Sequence, residues 1–222
     1  MDQYISEVLI PPDPVLEAAL NASAAAGLPP INVTPSQGKL LQIFAQMQSA
    51  RKILEVGTLA GYSTIWLARA ILPGGRLITL EVHPQYAAVA RGNLDRAGLL
   101  NVVELRVGPA IEALPRLAAD GEGPFDLIFI DADKASTSEY FLWSLKLSRR
   151  GTLIIVDNVI RKGALIDSTS TDPDIQGMRR FTRLLGAESR VSATVIQTVG
   201  SKGYDGFALV LVLADSSLGR ND

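Results

Sequence analysis

The fold is predicted from one stretch of the chain, Lys52-Ile53-Leu54-Glu55-Val56-Gly57-Thr58-Leu59-Ala60-Gly61-Tyr62-Ser63. It begins with a short apolar run that fits a buried strand, and it continues through two glycines into residues 62–69, which have the pattern of a helix. A strand, a glycine turn and a helix form the ligand crevice of an open α/β sheet, at the carboxyl ends of its strands. Gly57 allows a sharp turn and the close approach of a ligand, and Gly61 allows the helix to begin close to the strand.

The spacing of these glycines argues against two common nucleotide sites. Gly57 and Gly61 form G-x-x-x-G, which is neither the G-x-G-x-x-G of a dinucleotide site nor a P-loop with its Gly-Lys-Ser/Thr. Between the glycines there is no Lys or Arg to meet a phosphate, and Glu55 lies near the end of the strand. An acidic turn of this kind suits a cationic nucleoside better than a pyrophosphate. An ordinary βα turn without a ligand has the same pattern, so the motif alone leaves both interpretations open.

Composition limits the class of protein. The chain has 222 residues, enough for one α/β domain, and its 47% hydrophobic and 20% charged content is typical of a soluble globular protein. The net charge of −2 gives no general attraction to nucleic acid or to an anionic membrane. The absence of cysteine excludes disulfides and thiolate metal sites, and the single histidine, His83, argues against a multi-histidine zinc site. We expect neither a signal peptide nor a membrane span, and the predicted compartment is the cytoplasm.

Strands and helices alternate along most of the chain. Beyond the opening stretch, the predicted strands are residues 76–81, 102–107, 125–130, 152–156, 194–199 and 207–213, and the predicted helices are residues 1–10, 15–26, 39–49, 84–97, 109–119, 135–147 and 174–187. This order predicts an α/β fold with a mostly parallel seven-stranded sheet and helices on both faces. The last two strands are too close in sequence for a crossover helix, so one antiparallel strand is expected near the edge. We predict a single domain with an N-terminal helical cap (1–50), an α/β core (51–213) and a tail (214–222); the polar loop 161–173 is a candidate lid.

Carboxylates follow four of the predicted strands: Glu55, Glu81, Asp131 and Asp157. The carboxyl ends of parallel strands meet at one edge of a sheet, where ligands bind, and four acids together there need cations to balance them. Glu81 lies 24 residues after Gly57, which is the position from which a carboxylate holds a ribose diol. The alternative for Glu81 is an N-cap of the helix that begins at Pro84.

A second group of polar residues indicates a metal site. Asp131 follows one apolar strand, and Asp157 and Asn158 follow the next one. Carboxylate and carboxamide oxygens are hard ligands, which favour Mg²⁺, with Mn²⁺ or Ca²⁺ as alternatives, over zinc. Lys134 comes three residues after Asp131 and could act as a general base beside such an ion. The alternative is a pair of turn-forming acids, a capping Asn and a solvated surface lysine.

Taken together, these motifs resemble the cation-dependent, S-adenosylmethionine-dependent O-methyltransferases of the caffeoyl-CoA and catechol type. The similar segments span most of the chain: Thr34-Pro35-Ser36-Gln37-Gly38, the opening stretch from Leu54 to Ser63, Gly108-Pro109-Ala110, Phe129-Ile130-Asp131-Ala132-Asp133-Lys134, Val156-Asp157-Asn158 and Tyr204-Asp205-Gly206. No one segment is specific, whereas their order and spacing are. The resemblance implies a Rossmann-like methyltransferase fold and the cofactors S-adenosylmethionine and a divalent cation.

The resemblance also assigns roles to residues of this chain. Including Glu55 from the acidic turn, the predicted cofactor-binding residues are Thr34, Glu55, Gly57, Ser63, Glu81, Ala110 and Asp131. The predicted metal ligands are Asp131, Asp157 and Asn158, and the predicted catalytic residues are Lys134, as acceptor of the phenolic proton, and Asp131. The implied substrate is a small phenolic compound with two vicinal oxygens. The implied assembly is a homodimer, to which residues 1–30 could contribute.

One departure concerns the acceptor. In animal catechol enzymes a Glu shortly before the Asp-Gly turn contacts the catechol, whereas the corresponding position here, near Val199, carries no acid. One alternative is a relative that methylates hydroxylated tRNA uridine, and the net charge of −2 is weak evidence against it. Another alternative is a non-catalytic scaffold that binds S-adenosylmethionine. A nucleotide-binding dehydrogenase is disfavoured by the absence of G-x-G-x-x-G.

Overall fold

The structure is a computed structural model that describes residues 1–214. The predicted tail therefore lies outside the described residues, apart from Ala214. The chain divides into two compact units, Met1–Ala110 and Ile111–Asp222, and each is described by itself. Within residues 1–214, no helix combines the length and the apolarity that crossing a membrane requires.

The first unit contains the N-terminal helices and three parallel strands. Its helices are α1 (Asp2–Leu9), α2 (Pro14–Ala25), α3 (Pro35–Met47), α4 (Tyr62–Ala68) and α5 (Pro84–Arg96), and its strands are β1 (Lys52–Val56), β2 (Arg76–Glu81) and β3 (Val103–Val107). β2 pairs in parallel with both β1 and β3. Ile53, Leu54 and Val56 are fully buried, as expected for a strand covered on both faces.

The second unit contains the remaining four strands. Its helices are α6 (Ala110–Ala119), which begins at the last residue of the first unit, α7 (Thr137–Lys146), a 3-10 helix (Arg161–Ile166) and α8 (Pro173–Ala187); its strands are β4 (Phe125–Ile130), β5 (Ser148–Asp157), β6 (Val191–Gly200) and β7 (Gly203–Val212). β4 and β5 are parallel, whereas β7 is antiparallel to both β5 and β6. The strand order is β3-β2-β1-β4-β5-β7-β6, which confirms the predicted α/β fold with its single reversed strand next to the edge.

Several predicted boundaries differ from the structure, among them the early start of β5, β6 and β7, and two of the differences have local reasons. Helix α3 begins at Pro35 and not at residue 39, because the Thr34 hydroxyl accepts a hydrogen bond from Gln37 N and Pro35 takes the first helical position. The predicted loop 161–173 begins with the 3-10 helix, although Lys162 and Gly163 have positive φ angles of 57° and 83° and interrupt it.

Candidate active site

In the first unit, the predicted cofactor turn is fixed by its own side chains. Gly57 has a φ of 101°, which a residue with a side chain adopts only at a cost, and its N–H donates to Leu80 O at 3.0 Å. Gly61 also has a positive φ, 82°, and precedes α4 as its N-cap residue. The Asn93 side chain donates to Ala60 O at 2.9 Å and anchors the turn to α5. Hydrogen bonds to β2 and to α5 therefore hold the predicted glycine turn in one conformation.

Glu81 lies at the end of β2, and its carboxylate reaches the same turn. Its Oε2 accepts the N–H of Leu59 at 2.8 Å and of Thr58 at 3.3 Å, and its Oε1 accepts the N–H of His83 at 3.0 Å. The residue at the N-cap of α5 is His83, so the alternative of Glu81 as an N-cap is wrong. Glu81 is 5% exposed and is aligned by three backbone donors, which orients the carboxylate without using all of its acceptor sites.

Glu55 is fully buried, and its carboxylate accepts hydrogen bonds from three hydroxyl groups. Ser63 Oγ and Thr79 Oγ1 each donate at 2.7 Å, and Thr64 Oγ1 is the third donor. Hydrogen bonding of this extent offsets the cost of burying a carboxylate. These contacts indicate that Glu55 holds the start of α4, through Ser63 and Thr64, against β2. The role of Glu55 as a cofactor-binding residue stays a prediction, and Glu55 would act by positioning Ser63.

The other predicted cofactor residues of the first unit lie at element ends. Thr34 is the N-cap of α3: its hydroxyl accepts the N–H of Gln37 at 3.2 Å and its carbonyl accepts the N–H of Gly38 at 2.8 Å, and its role in cofactor binding stays a prediction. Ala110 is the first residue of α6 and follows Gly108, whose N–H donates to Glu81 O at 2.8 Å. Asp131 lies in the second unit, so its predicted part in cofactor binding stays a prediction.

In the second unit, Asp131 and Lys134 are in direct contact. Lys134 Nζ donates to Asp131 Oδ1 at 2.9 Å, and Lys134 is 6% exposed. The alternative of a solvated surface lysine is therefore wrong. The neighbouring Asp133 does not point the same way, because its carboxylate accepts from Ser136 N at 3.0 Å and from the Tyr140 hydroxyl.

The Asp133–Tyr140 contact belongs to the support of this segment. Burial would raise the pKa of Asp133, but the hydrogen bonds from Tyr140 and Ser136 outweigh it, and the pKa of Asp133 is lowered. Burial and the Asp133 carboxylate together raise the pKa of the Tyr140 hydroxyl. Tyr140 therefore stays a neutral hydrogen-bond donor that fixes the loop between β4 and α7.

Asp157 and Asn158 follow β5, and the chain turns sharply between them. Asp157 is 4% exposed, and its Oδ1 accepts the N–H of Asn158 at 2.8 Å. Asn158 has a φ of 57°, in the left-handed region. Asn tolerates this region better than most residues, which explains why it stands at this position.

The ammonium group of Lys202 interacts electrostatically with both Asp131 and Asp157. Burial lowers the pKa of Lys202, in the β6–β7 turn, and the negative charges of Asp131 and Asp157 oppose this shift. Both carboxylates therefore lie within electrostatic reach of one cation. Among residues 1–214, no group of three or more His, Cys, Asp or Glu side chains is placed to hold a metal ion, and the metal site with Asp131, Asp157 and Asn158 stays a prediction.

Sequence reasoning missed several residues that hold the candidate site. Thr79 and Asn93 bond to the cofactor turn, Tyr140 fixes the segment of Lys134, and Lys202 lies near the two aspartates. Thr79 had a weak signal, since it is the one polar residue inside the otherwise apolar segment Leu77-Ile78-Thr79-Leu80. The others lie on helices or turns where polar residues are common.

Helix α8 approaches the Lys134 segment at Gly177, which gives a test of its packing. A Cβ at Gly177 would lie 2.2 Å from Lys134 O and 2.7 Å from Ala135 Cα, whereas a Cβ at Gly186 of the same helix meets nothing within 4 Å. We expect Gly177→Ala to reduce the free energy of unfolding by about 1–3 kcal/mol. Gly186→Ala, the matched control, should increase it by about 0.5 kcal/mol, because Ala favours the helix. Urea unfolding measures both, and equal effects of the two substitutions would contradict the close approach.

Comparison with known proteins identifies the family to which the chain belongs. A sequence profile of the O-methyltransferase family matches residues 10–212. A catechol O-methyltransferase from Niastella koreensis is 58% identical over 212 residues, covering 96% of each chain, and one from Mycobacterium tuberculosis is 51% identical over 212 residues, covering 96% of this chain and 94% of the relative. The crystal structure of an O-methyltransferase from Bacillus cereus in complex with SAH is 57% identical and superimposes with a TM-score of 0.94, covering 95% of this chain and 96% of that one.

The family profile covers nearly the whole chain, and the relatives are similar over their full length. The resemblance predicted from the sequence is thereby confirmed. The chain belongs to the O-methyltransferase family, within the group of caffeoyl-CoA and catechol type, and is an S-adenosylmethionine-dependent O-methyltransferase.

Proposed function

We propose that this enzyme requires a divalent cation and methylates one hydroxyl of a small catechol-like aromatic compound. The names of its relatives support the substrate class, since proteins 58% and 51% identical to it are called catechol O-methyltransferase. The observation that carries the metal requirement is the register of the parallel strands β4 and β5, in which Ile130 pairs with Val156, so that Asp131 and Asp157 directly follow paired residues of neighbouring strands.

The side chains of the second unit fit a hard divalent cation. Asp131, Asp157 and Asn158 would supply two carboxylates and one carboxamide oxygen, a set that suits Mg²⁺, and Mn²⁺ or Ca²⁺ as alternatives. Two carboxylates near one another are costly unless a positive charge balances them, and Lys202 already supplies part of that charge. When bound, the cation would hold the two vicinal oxygens of the acceptor and stabilise the phenolate.

Lys134 is the proposed general base. Its Nζ is buried and is held at 2.9 Å from the carboxylate of Asp131, one of the proposed metal ligands. As a neutral amine, Nζ would accept the proton of the reacting hydroxyl, and its fixed position would keep it close to that hydroxyl. Positioning of this kind, together with charge stabilisation, supplies most of the acceleration expected for such a transfer.

In the first unit we propose that S-adenosylmethionine, the methyl donor, binds at the turn after β1. Gly57 has no side chain and would allow the cofactor to approach the backbone closely. Glu81 would accept hydrogen bonds from the ribose hydroxyls, and the N–H groups of Leu59 and Thr58, which orient its carboxylate, support this role. Ser63, Ala110 and the backbone of Thr34 would complete the contacts. The buried Glu55 would keep Ser63 in place.

We also propose the homodimer that the sequence predicted, with residues 1–30 contributing to it. Helix α1 has no buried residue, and three of its apolar side chains, Tyr4, Val8 and Leu9, are 66%, 61% and 65% exposed. An apolar surface of this kind supports an interface. The cytoplasmic location stays a prediction from the sequence.

The purified enzyme tests the proposal directly. Catechol, S-adenosylmethionine and Mg²⁺ should give a methylated product, detected by mass spectrometry, and an excess of EDTA should remove this activity, which added Mg²⁺ should restore. Undiminished turnover in EDTA would contradict the metal requirement. Cofactor binding without turnover of any catechol would contradict the substrate class and favour an RNA acceptor or a larger phenol.

A further inference from the structure

The turn after β5 contains backbone angles that side-chain-bearing residues rarely adopt. Asn158, Arg161 and Lys162 have φ angles of 57°, 52° and 57°. Left-handed residues other than glycine persist where the surrounding structure holds them. The segment 158–162 therefore needs an anchor outside itself, and it lies directly after Asp157, a proposed metal ligand.

The anchor is Asp205, in β7. Its Oδ1 accepts the N–H groups of Ile160 and Arg161, each at 3.0 Å, and that of Gly206 at 2.9 Å. A carboxylate oxygen that accepts several backbone N–H groups makes charge-assisted hydrogen bonds, which are stronger than neutral ones. One side chain thus connects the β6–β7 hairpin to the turn that carries Asp157 and Asn158.

The backbone next to Asp205 reinforces this connection. Val159 N donates to Gly206 O at 2.9 Å. A Cβ on Gly206 would lie 2.7 Å from Ile160 Cγ1 of the turn and 2.4 Å from Ile196 O of the neighbouring strand β6, so glycine allows both close approaches. The requirement for Asp205-Gly206 in this segment therefore follows from two separate contacts with residues 159–161.

We propose that Asp205 is a positioning residue for the divalent cation: by fixing the turn at residues 158–161 it sets the orientation of Asp157 and Asn158 without contacting the ion. This inference rests on the proposed metal-dependent function. The route runs through the backbone, since Oδ1 of Asp157 is itself oriented by the N–H of Asn158 at 2.8 Å. Residues that orient metal ligands from behind typically change metal affinity by about 10–100-fold when they are removed.

The test compares Asp205→Ala, Asp205→Asn and a control, Asp172→Ala. Asp172 is also an aspartate of the second unit whose carboxylate accepts backbone N–H groups, from Asp174 and Ile175 at the start of α8, and among residues 1–214 none of its hydrogen bonds goes to the turn. Mn²⁺ binding is measured by electron paramagnetic resonance, SAH binding by calorimetry, and amide exchange of residues 158–161 in protein without metal.

We expect Asp205→Ala to weaken Mn²⁺ binding by about 10-fold or more. SAH binding should change by less than about two-fold, and the amides of Ile160 and Arg161 should exchange faster. Asp205→Asn, which keeps one carbonyl oxygen as an acceptor, should retain most of the affinity and serves as the test if the alanine variant does not fold. Asp172→Ala should lower the melting temperature and leave Mn²⁺ affinity unchanged.

Three results would overturn the inference in different ways. If the amides exchange faster in Asp205→Ala while Mn²⁺ affinity stays at the wild-type value, Asp205 only stabilises the fold. If Asp172→Ala loses as much Mn²⁺ affinity as Asp205→Ala, the effect is general destabilisation. If the wild-type protein binds no Mn²⁺ at all, the proposed metal requirement itself fails, and the inference fails with it.

Discussion

Replacing Asp157 by alanine is expected to remove methyl transfer to a catechol almost completely. Asp157 is 4% exposed and supplies one of the two carboxylates near Lys202. A catalytic cation contributes several kcal/mol of charge stabilisation, so its loss should lower kcat/KM by at least about 1,000-fold. The affinity for S-adenosylmethionine should stay within about two-fold, because the proposed cofactor residues that the sequence places around Gly57 are untouched by the substitution. Product formation by mass spectrometry and cofactor titration by calorimetry measure the two quantities.

Two further variants make this expectation specific. Asp157→Asn keeps the shape of the side chain and an oxygen that can accept from Asn158 N, so it separates loss of charge from collapse of the turn; it should also lose most activity and should require far more Mg²⁺. Asp167→Ala removes an exposed carboxylate of the same unit, whose Oδ1 accepts hydrogen bonds from the N–H and the hydroxyl of Thr169. This control should leave the activity unchanged. A fully active Asp157→Ala enzyme that also ignores EDTA would exclude the metal proposal.

The positions of the strands along the chain were predictable because a buried strand has a recognisable composition. A strand covered on both faces must be almost wholly apolar, and residues 125–130 meet that condition with Asp126 as their one polar residue. The antiparallel placement of β7 was equally predictable, since the predicted turn at residues 200–206 is too short for a crossover helix; in the structure only Ser201-Lys202 separates β6 from β7. In both cases, local sequence alone limits the possible structure to one arrangement.

The supports of the candidate site were less predictable, because they depend on strand register. Glu55 and Thr79 are 24 residues apart, and they meet because β1 and β2 pair in a register that places them side by side. Asp205 and Ile160 are 45 residues apart and meet through the pairing of β5 with β7. No periodicity in the chain encodes such a pairing, so the sequence names candidate ligands but does not indicate the residues that hold the candidate site.

The second large effect is expected at Lys134, the proposed base. Lys134→Gln removes the group that would accept the phenolic proton, and the loss of a general base lowers kcat by about 100- to 10,000-fold. KM for the catechol should change much less, since the proposed metal ligands Asp131, Asp157 and Asn158 remain. Initial rates over a range of catechol concentrations measure kcat and KM separately.

Lys134→Arg separates proton transfer from charge. Arginine keeps a positive charge that can pair with Asp131, the partner of Lys134 at 2.9 Å, but it stays protonated and therefore cannot act as a base. If Lys134 acts by accepting a proton, Lys134→Arg should be as inactive as Lys134→Gln, even though it preserves the ion pair. Lys146→Gln is the matched control, because Lys146 lies 4.0 Å from the ring of Trp143 on α7, among residues with no proposed role in the reaction. An active Lys134→Arg enzyme would mean that Lys134 contributes its charge alone, and that the phenolic proton leaves to another acceptor.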